Sequence, residues 1–210
     1  MRAKPIRGEN AVSQAAEDAL VKLLAKKGRP FEGISTTELC HDAGISRQTF
    51  YRHFSSVDDV LAALARRHAR AFAELALDET ELLRDYRNRI GFMFEFFASE
   101  RELLAVLKHN DVLQSFFNAF WGAYDWQWVP AETDLSERQQ QRLARFITAA
   151  FTAIIEDWVD DAEAPMPQDM GPVMEELMLS VPQLVGPGYD VYKPEALFGA
   201  DEEPASQQSS

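Results

Sequence analysis

Residues 35–61, STTELCHDAGISRQTFYRHFSSVDDVL, hold three helix starts and one tight turn in fewer than thirty positions. Ser35 is placed to cap a helix, and Glu38, three residues on, has the spacing that reaches back to the cap nitrogen in a capping box. The pattern predicts a short helix from Thr36 to Asp42. Gly44 follows where the chain must reverse with a positive φ, and Ile45 is the apolar residue that tucks under the corner. Ser46 is a second N-cap and starts a helix from Arg47 to His53. Phe50 and Phe54, four residues apart, are expected to bury with Leu39 and Ile45. That leaves Arg47, Gln48, Thr49, Tyr51, Arg52 and His53 facing outward, almost all of them hydrogen-bond donors. A short helix so furnished, held at an angle to a supporting helix by a tight turn, has the shape and chemistry to enter the major groove of DNA. The alternative is a plain helical hairpin with a solvated face.

At these residues the chain resembles the TetR family of bacterial transcriptional regulators. The likeness is strongest over Gly33 to Leu64, where T-F-Y-R-H-F is followed by a capped, acidic helix start. The resemblance implies an all-α fold: an N-terminal three-helix helix-turn-helix DNA-binding domain, then a C-terminal helical ligand-binding and dimerisation domain, paired as an Ω-shaped homodimer. Carried over residue by residue, it implies base or phosphate contacts for Arg47, Gln48, Thr49 and Arg52. Tyr51 and His53 match DNA-backbone contacts, as do Ser35, Thr36 and Thr37 at the start of the supporting helix. The sequence departs from the family at Val57, where a lysine is frequent, so that phosphate contact is not carried over.

Around this core, 210 residues with 46% hydrophobic content suffice for one large or two small domains. The longest apolar run, Phe146 to Ile155, falls short of the ~20 residues of a membrane span, and the basic N-terminus lacks an apolar signal segment. A cytoplasmic protein is expected. Cys40, the single cysteine, is expected on the core side of the supporting helix. The net charge of −13 is unevenly placed: residues 1–70 carry twelve Lys/Arg against eight Asp/Glu, and residues 71–210 carry nine against twenty-six. A basic head on an acidic body suits nucleic-acid binding, because the body is repelled from phosphate.

In chain order, residues 1–10 read as a flexible basic arm and residues 11–55 as the DNA-binding head. Its first helix is predicted from Ala11 to Lys27, stopped by Gly28, with Phe31 and Ile34 filling the gap that follows. Ser56 and Asp59 form another capping pair and open a connecting helix over residues 56–77, on which Arg66, Arg67, His68 and Arg70 are expected as a solvated face. The body spans residues 78–182. Its helices are predicted over Glu79–Ala98, from a Ser99 cap to Lys108, from an Asn110 cap through Asp111 to Trp128, from a Ser136–Gln139 capping box to Asp161, and near Asp169 to Val181. Gly171-Pro172 marks the start of the last of these. Residues 183–210 read as a largely disordered, acidic tail.

The aromatic density of the body fits either a core or a pocket that orients an apolar ligand. The family resemblance favours the pocket, with Tyr86, Phe96, His109, Gln114, Phe117, Asn118 and Trp121 as lining candidates. It also implies a subunit interface formed by the last two long helices, through Phe151, Ile155, Trp158, Met174, Leu177 and Met178.

The sequence therefore reads as a ligand-responsive regulator, a repressor by family default, that binds a palindromic operator as a homodimer and is released by a small-molecule effector. The alternative is a TetR-like co-activator or partner-binding protein with weakened DNA binding. The four histidines are scattered, and no His/Cys metal spacing, nucleophile elbow or glycine-rich phosphate loop is present. No catalysis, metal or cofactor is expected.

Overall fold

The computed structural model describes residues 9–26, 30–78, 86–123, 136–161 and 163–185. The first helix, α1 (Glu9–Leu24), presents Ala16, Ala19, Leu20, Leu23 and Leu24 to the core at helical spacing. It begins two residues before the predicted start and ends earlier than predicted, in a tightened turn where the Lys26 amide donates to the Leu23 carbonyl at 3.2 Å. Gly28, the expected stop, lies outside the described residues. A single 3-10 turn, Phe31–Gly33, then buries Phe31 ahead of Ile34.

Helices α2 (Thr36–Ala43) and α3 (Arg47–His53) follow, and each is started by its serine. The Ser35 hydroxyl accepts the Glu38 amide at 3.2 Å, and the Ser46 hydroxyl accepts the Thr49 amide at 3.0 Å. Between them Gly44 sits at φ 66°. Its amide returns to the His41 carbonyl, while that of Ile45 reaches Cys40, the paired bonds of a Schellman ending. Leu39, Phe50 and Phe54 close the three-helix core, with Ile45 packed against its edge. Burying Phe50 completely contributes ~1.5–3 kcal/mol.

The long helix α4 (Val57–Asp78) belongs to both halves of the molecule. Val60, Leu61 and Leu64 face the head, and Phe72 meets the rings of Phe92, Phe96 and Phe120 in the body. At its start the Asp59 amide donates to Ser56, but the Asp59 carboxylate returns one residue further back, to the amide and hydroxyl of Ser55. The expected solvated face of α4 is only partly so. Arg66 and Arg70 are exposed, whereas Arg67 reaches Glu17 at 2.5 Å and His68 is buried. Glu17 is itself buried, so a paired cation is required there.

In the body, α5 (Tyr86–Ala98), α6 (Arg101–His109), α7 (Leu113–Ala123), α8 (Glu137–Asp160) and α9 (Met170–Val185) pack around an aromatic core. The predicted stretches 79–85 and 124–135, with Leu82, Leu83, Tyr124, Trp126 and Trp128, lie outside the described residues. Two expected caps act differently. Ser99 finishes α5, its hydroxyl donating to the Phe96 carbonyl at 2.7 Å, and Glu100 stands at the head of α6. Asn110 closes α6 instead of opening α7: its buried amide donates to the Val106 carbonyl at 2.8 Å and, across the molecule, to the Leu24 carbonyl of α1 at 3.1 Å. The Ser136–Gln139 capping box is formed, with the Ser136 amide donating to Gln139 at 2.9 Å. Helix α9 starts at Met170 after a 3-10 turn, Pro167–Asp169, and continues through Pro182 to Val185, past the predicted end.

α9 crosses α5 closely at Gly171, where a Cβ would meet the Arg87 carbonyl oxygen at 2.5 Å. Nearby, Arg87 forks onto Glu175 at 2.6 and 3.0 Å. The C-terminal end of α8 is fixed by cations. Arg101 donates to the carbonyls of Trp158, Val159 and Asp161, and Lys108 to that of Glu156.

Four residues expected at a subunit interface, Phe151, Ile155, Trp158 and Met174, instead lie in the core of the protomer. Phe151 meets the rings of Phe94, Phe97, Phe117 and Trp121, and Trp158 lies between Phe94 and the Arg101 guanidinium. From Phe151 to Trp158 the apolar side of α8 is covered by its own chain. Large apolar side chains exposed on these two helices are Phe146 (54%) and Leu177 (48%); the Met178 side chain lies outside the description.

Candidate nucleic-acid interface

Every residue proposed from the sequence for DNA contact lies on α3 or at the start of α2. Arg47, Gln48, Tyr51 and Arg52 are exposed, as are Ser35 and Thr37; Thr49, His53 and Thr36 are half-buried. The same local rules place all nine. The two serine caps fix where the helices begin, the Schellman turn sets the angle between them, and Phe50 determines which side of α3 turns inward.

Donors on this face are organised. The Arg47 guanidinium stands over the Tyr51 ring, its Cζ 5.9 Å from the centroid, and Tyr51 packs edge-on against Phe50. Hydrogen bonds from Arg47 and then from Thr36 pull the Tyr51 phenol below its ordinary range, tying α3 to the first residue of α2. Thr49 is engaged in its own cap, 2.9 Å from the Ser46 hydroxyl. Val57, at the position where the family often has lysine, is half-buried against the core.

Behind the face, Asp42 at the end of α2 is held by Lys26 at 3.3 Å, by His41 at 3.2 Å and more loosely by Lys22 at 3.9 Å. Hydrogen bonds from His41 and from Lys26 keep its carboxyl below the usual range. Cys40 is buried and burial pushes its thiol up, which makes it a small core residue and a poor nucleophile.

Three contacts link this head, directly or through α4, to the body. Glu17 of α1 pairs with Arg67, His68 of α4 lies 3.5 Å from Glu100 at the start of α6, and Asn110 grips the last carbonyl of α1. His68 also meets the Leu64 carbonyl through Nδ1 at 2.9 Å and the edge of the Phe116 ring. Sequence reasoning missed all three contacts. The partners of Glu17 and Asn110 lie 50 and 86 residues away, and nothing in local spacing announces them.

Of the seven pocket candidates, the six whose side chains are described are not gathered on one surface. Phe117 and Trp121 are buried in the aromatic core, and Phe96, half-buried, packs on Phe72 and Phe97. Gln114 and Asn118 lie on the outer face of α7, hydrogen-bonded to each other at 3.1 Å, and His109 is exposed. The Tyr86 side chain lies outside the description. Among the described residues no group of three or more His, Cys, Asp or Glu is placed to hold a metal, and no helix is long and apolar enough to cross a membrane.

Residues 18–64 match the sequence profile of the bacterial regulatory proteins, tetR family. Over 148 residues the chain is 25% identical to the HTH-type transcriptional regulator EthR of Mycobacterium tuberculosis, spanning 65% of this chain and 68% of EthR; the Mycobacterium bovis protein matches equally. Among solved structures, the TetR family repressor AlkX of a Dietzia strain is 17% identical, with a TM-score of 0.42 over 82% of this chain and 95% of AlkX. The dihydroxyacetone kinase operon activator DhaS is 16% identical, with a TM-score of 0.40 over 84% and 96%.

Proposed function

We propose, for a chain that belongs to the TetR family of bacterial transcriptional regulators, that it binds a palindromic operator in the cytoplasm as a homodimer and leaves it when a small molecule occupies the body. The observation that carries this reading is the donor-rich outer face of α3, built on buried Phe50 and Phe54 and positioned by two serine caps. Arg47, Gln48, Thr49, Arg52, Tyr51, His53, Ser35, Thr36 and Thr37 supply the DNA contacts in this reading. Repression follows wherever the operator overlaps a promoter.

The effector is an apolar small molecule that opens the aromatic core near Phe96, Phe117 and Trp121. Support comes from the packing itself, since the rings of α7 lie directly against α4 through Phe72 and His68. A shift of α7 is felt by the head along α4 and through the grip of Asn110 on α1. Coupling needs a differential affinity of only ~1–3 kcal/mol between the two arrangements. Dimerisation uses the exposed parts of α8 and α9, around Phe146 and Leu177.

The test is light scattering of the purified protein alone and with a duplex obtained by selection. A mass of twice 23.8 kDa, and two chains per inverted repeat, is the expected result. A monomer that binds neither a repeat nor a half-site contradicts the reading and favours a partner-binding role for the body.

A further inference from the structure

Rotation along α3 sorts its side chains into three stripes. Successive residues turn by about 100°, so the direction opposite the buried Phe50 falls midway between Gln48 and Arg52, about 20° from each. Arg47 and Tyr51 lie about 80–120° to one side of it, and Thr49 and His53 about 80–120° to the other. Burial sets one flank apart: Thr49 and His53 are half-buried, whereas Arg47 and Tyr51 are exposed, as are Gln48 and Arg52.

The flanking stripe is already engaged. Arg47 stands over the Tyr51 ring, its Cζ 5.9 Å from the centroid, and the pull of Arg47 and then Thr36 holds the Tyr51 phenol below its ordinary range. Where Arg47 stands, its charge lies beside Tyr51, to one side of the direction in which Gln48 and Arg52 point away from the core. Gln48 and Arg52 have no such ties among the described residues.

We propose that Gln48 and Arg52 are the residues that select base sequence, while Arg47, held over the Tyr51 ring, grips a backbone phosphate. The proposal rests on the reading of α3 as the recognition helix and divides the labour within it. A glutamine amide pairs two-pronged with adenine N6 and N7, and a guanidinium with guanine O6 and N7. The two side chains are separated by about 6 Å along the helix, close to two base-pair steps. Each half-site should therefore contain an adenine and a guanine, on either strand, about two steps apart. Arg47 adds a charge without sequence information.

The experiment uses the full chain and a panel of duplexes carrying every single base-pair change in one half-site, titrated at several salt concentrations. Gln48→Ala and Arg52→Ala should each flatten the preference at one base pair by about five- to hundredfold and leave the others intact. Arg47→Ala should weaken binding to all duplexes by one common factor and lower the slope of log affinity against log salt by about 1. Tyr51→Phe should act in the same direction as Arg47→Ala and add little to it in the double variant, because the two act as a unit. If Arg47→Ala instead erases the preference at a single base pair and keeps the salt slope, the division of labour is overturned. It is equally overturned if the Gln48 and Arg52 variants keep the full preference. Wild-type protein that binds every duplex alike overturns the DNA-reading function itself, a result distinct from either.

Discussion

Gly44 holds φ at 66°, where a Cβ is strained whatever the surrounding space, and the space around it is open. Gly44→Ala should therefore destabilise the head by about 1 kcal/mol through the backbone alone. Loss of the α3 cap in Ser46→Ala should cost a similar ~1 kcal/mol. Denaturant titration checks both, and an unchanged midpoint in either would mean that the turn is not fixed as described. Both residues were legible in the sequence, because caps and reversed turns are written within four positions of where they act. Glu100 was not legible. A hydrogen bond from His68, and then the charges of His68 and Arg67, hold its carboxyl below the ordinary value of 4.5, against the opposing effect of burial. A depressed carboxyl adds stability above its unfolded range, and that stability is lost as pH falls through the folded value. Melting temperatures of wild type and Glu100→Gln should thus converge as pH drops below about 4.5. Parallel curves down to pH 3 would show that Glu100 makes no such contact.

At the scale of elements, helix existence was readable from apolar spacing, but the work done at helix ends was not always so. Ser99 had the spacing of a cap for α6, yet its hydroxyl turns back to Phe96, the local competition typical of serine at a helix terminus. Asn110 has a side chain that suits a cap, but its partner across the molecule, Leu24, is set by how α6 meets α1. Asn110→Ala leaves that carbonyl and Val106 without their donor and should cost ~1–3 kcal/mol. The crossing of α5 and α9 was also invisible in the sequence. Gly171-Pro172 reads as a helix start, but Gly171 is in addition the point where α9 lies on the Arg87 backbone. Gly171→Ala must push the two helices apart, at ~1–3 kcal/mol, and should lower the melting midpoint by ~2–4 °C for each kcal/mol. A variant that melts with the wild type would mean that the helices are not so closely crossed.

Across the whole molecule, the division into a basic head and an acidic body was plain from charge counts, and the head's donor face followed from local rules. The subunit surface was not. A stripe of apolar residues on α8 shows that the helix is covered, not by what, and rings of α5 and α7 cover its Phe151 inside the protomer. The pocket candidates failed to converge for the same reason: aromatic residues mark volume, and Gln114 and Asn118 share their helix without sharing its buried side. With the dimer assigned to the exposed remainder, Phe146→Asp should yield a folded monomer near 23.8 kDa by light scattering, with an unchanged helical spectrum. A persistent dimer would move the interface elsewhere.

The most direct test of sequence reading by a dimeric helix-turn-helix head is selection from random duplex DNA by the purified protein, at low and at high salt. Enrichment of one inverted repeat, with half-sites about one helical turn apart and retained at high salt, is the predicted result. Binding that enriches no sequence and vanishes as salt rises would contradict it, leaving α3 with an electrostatic contact and no reading role.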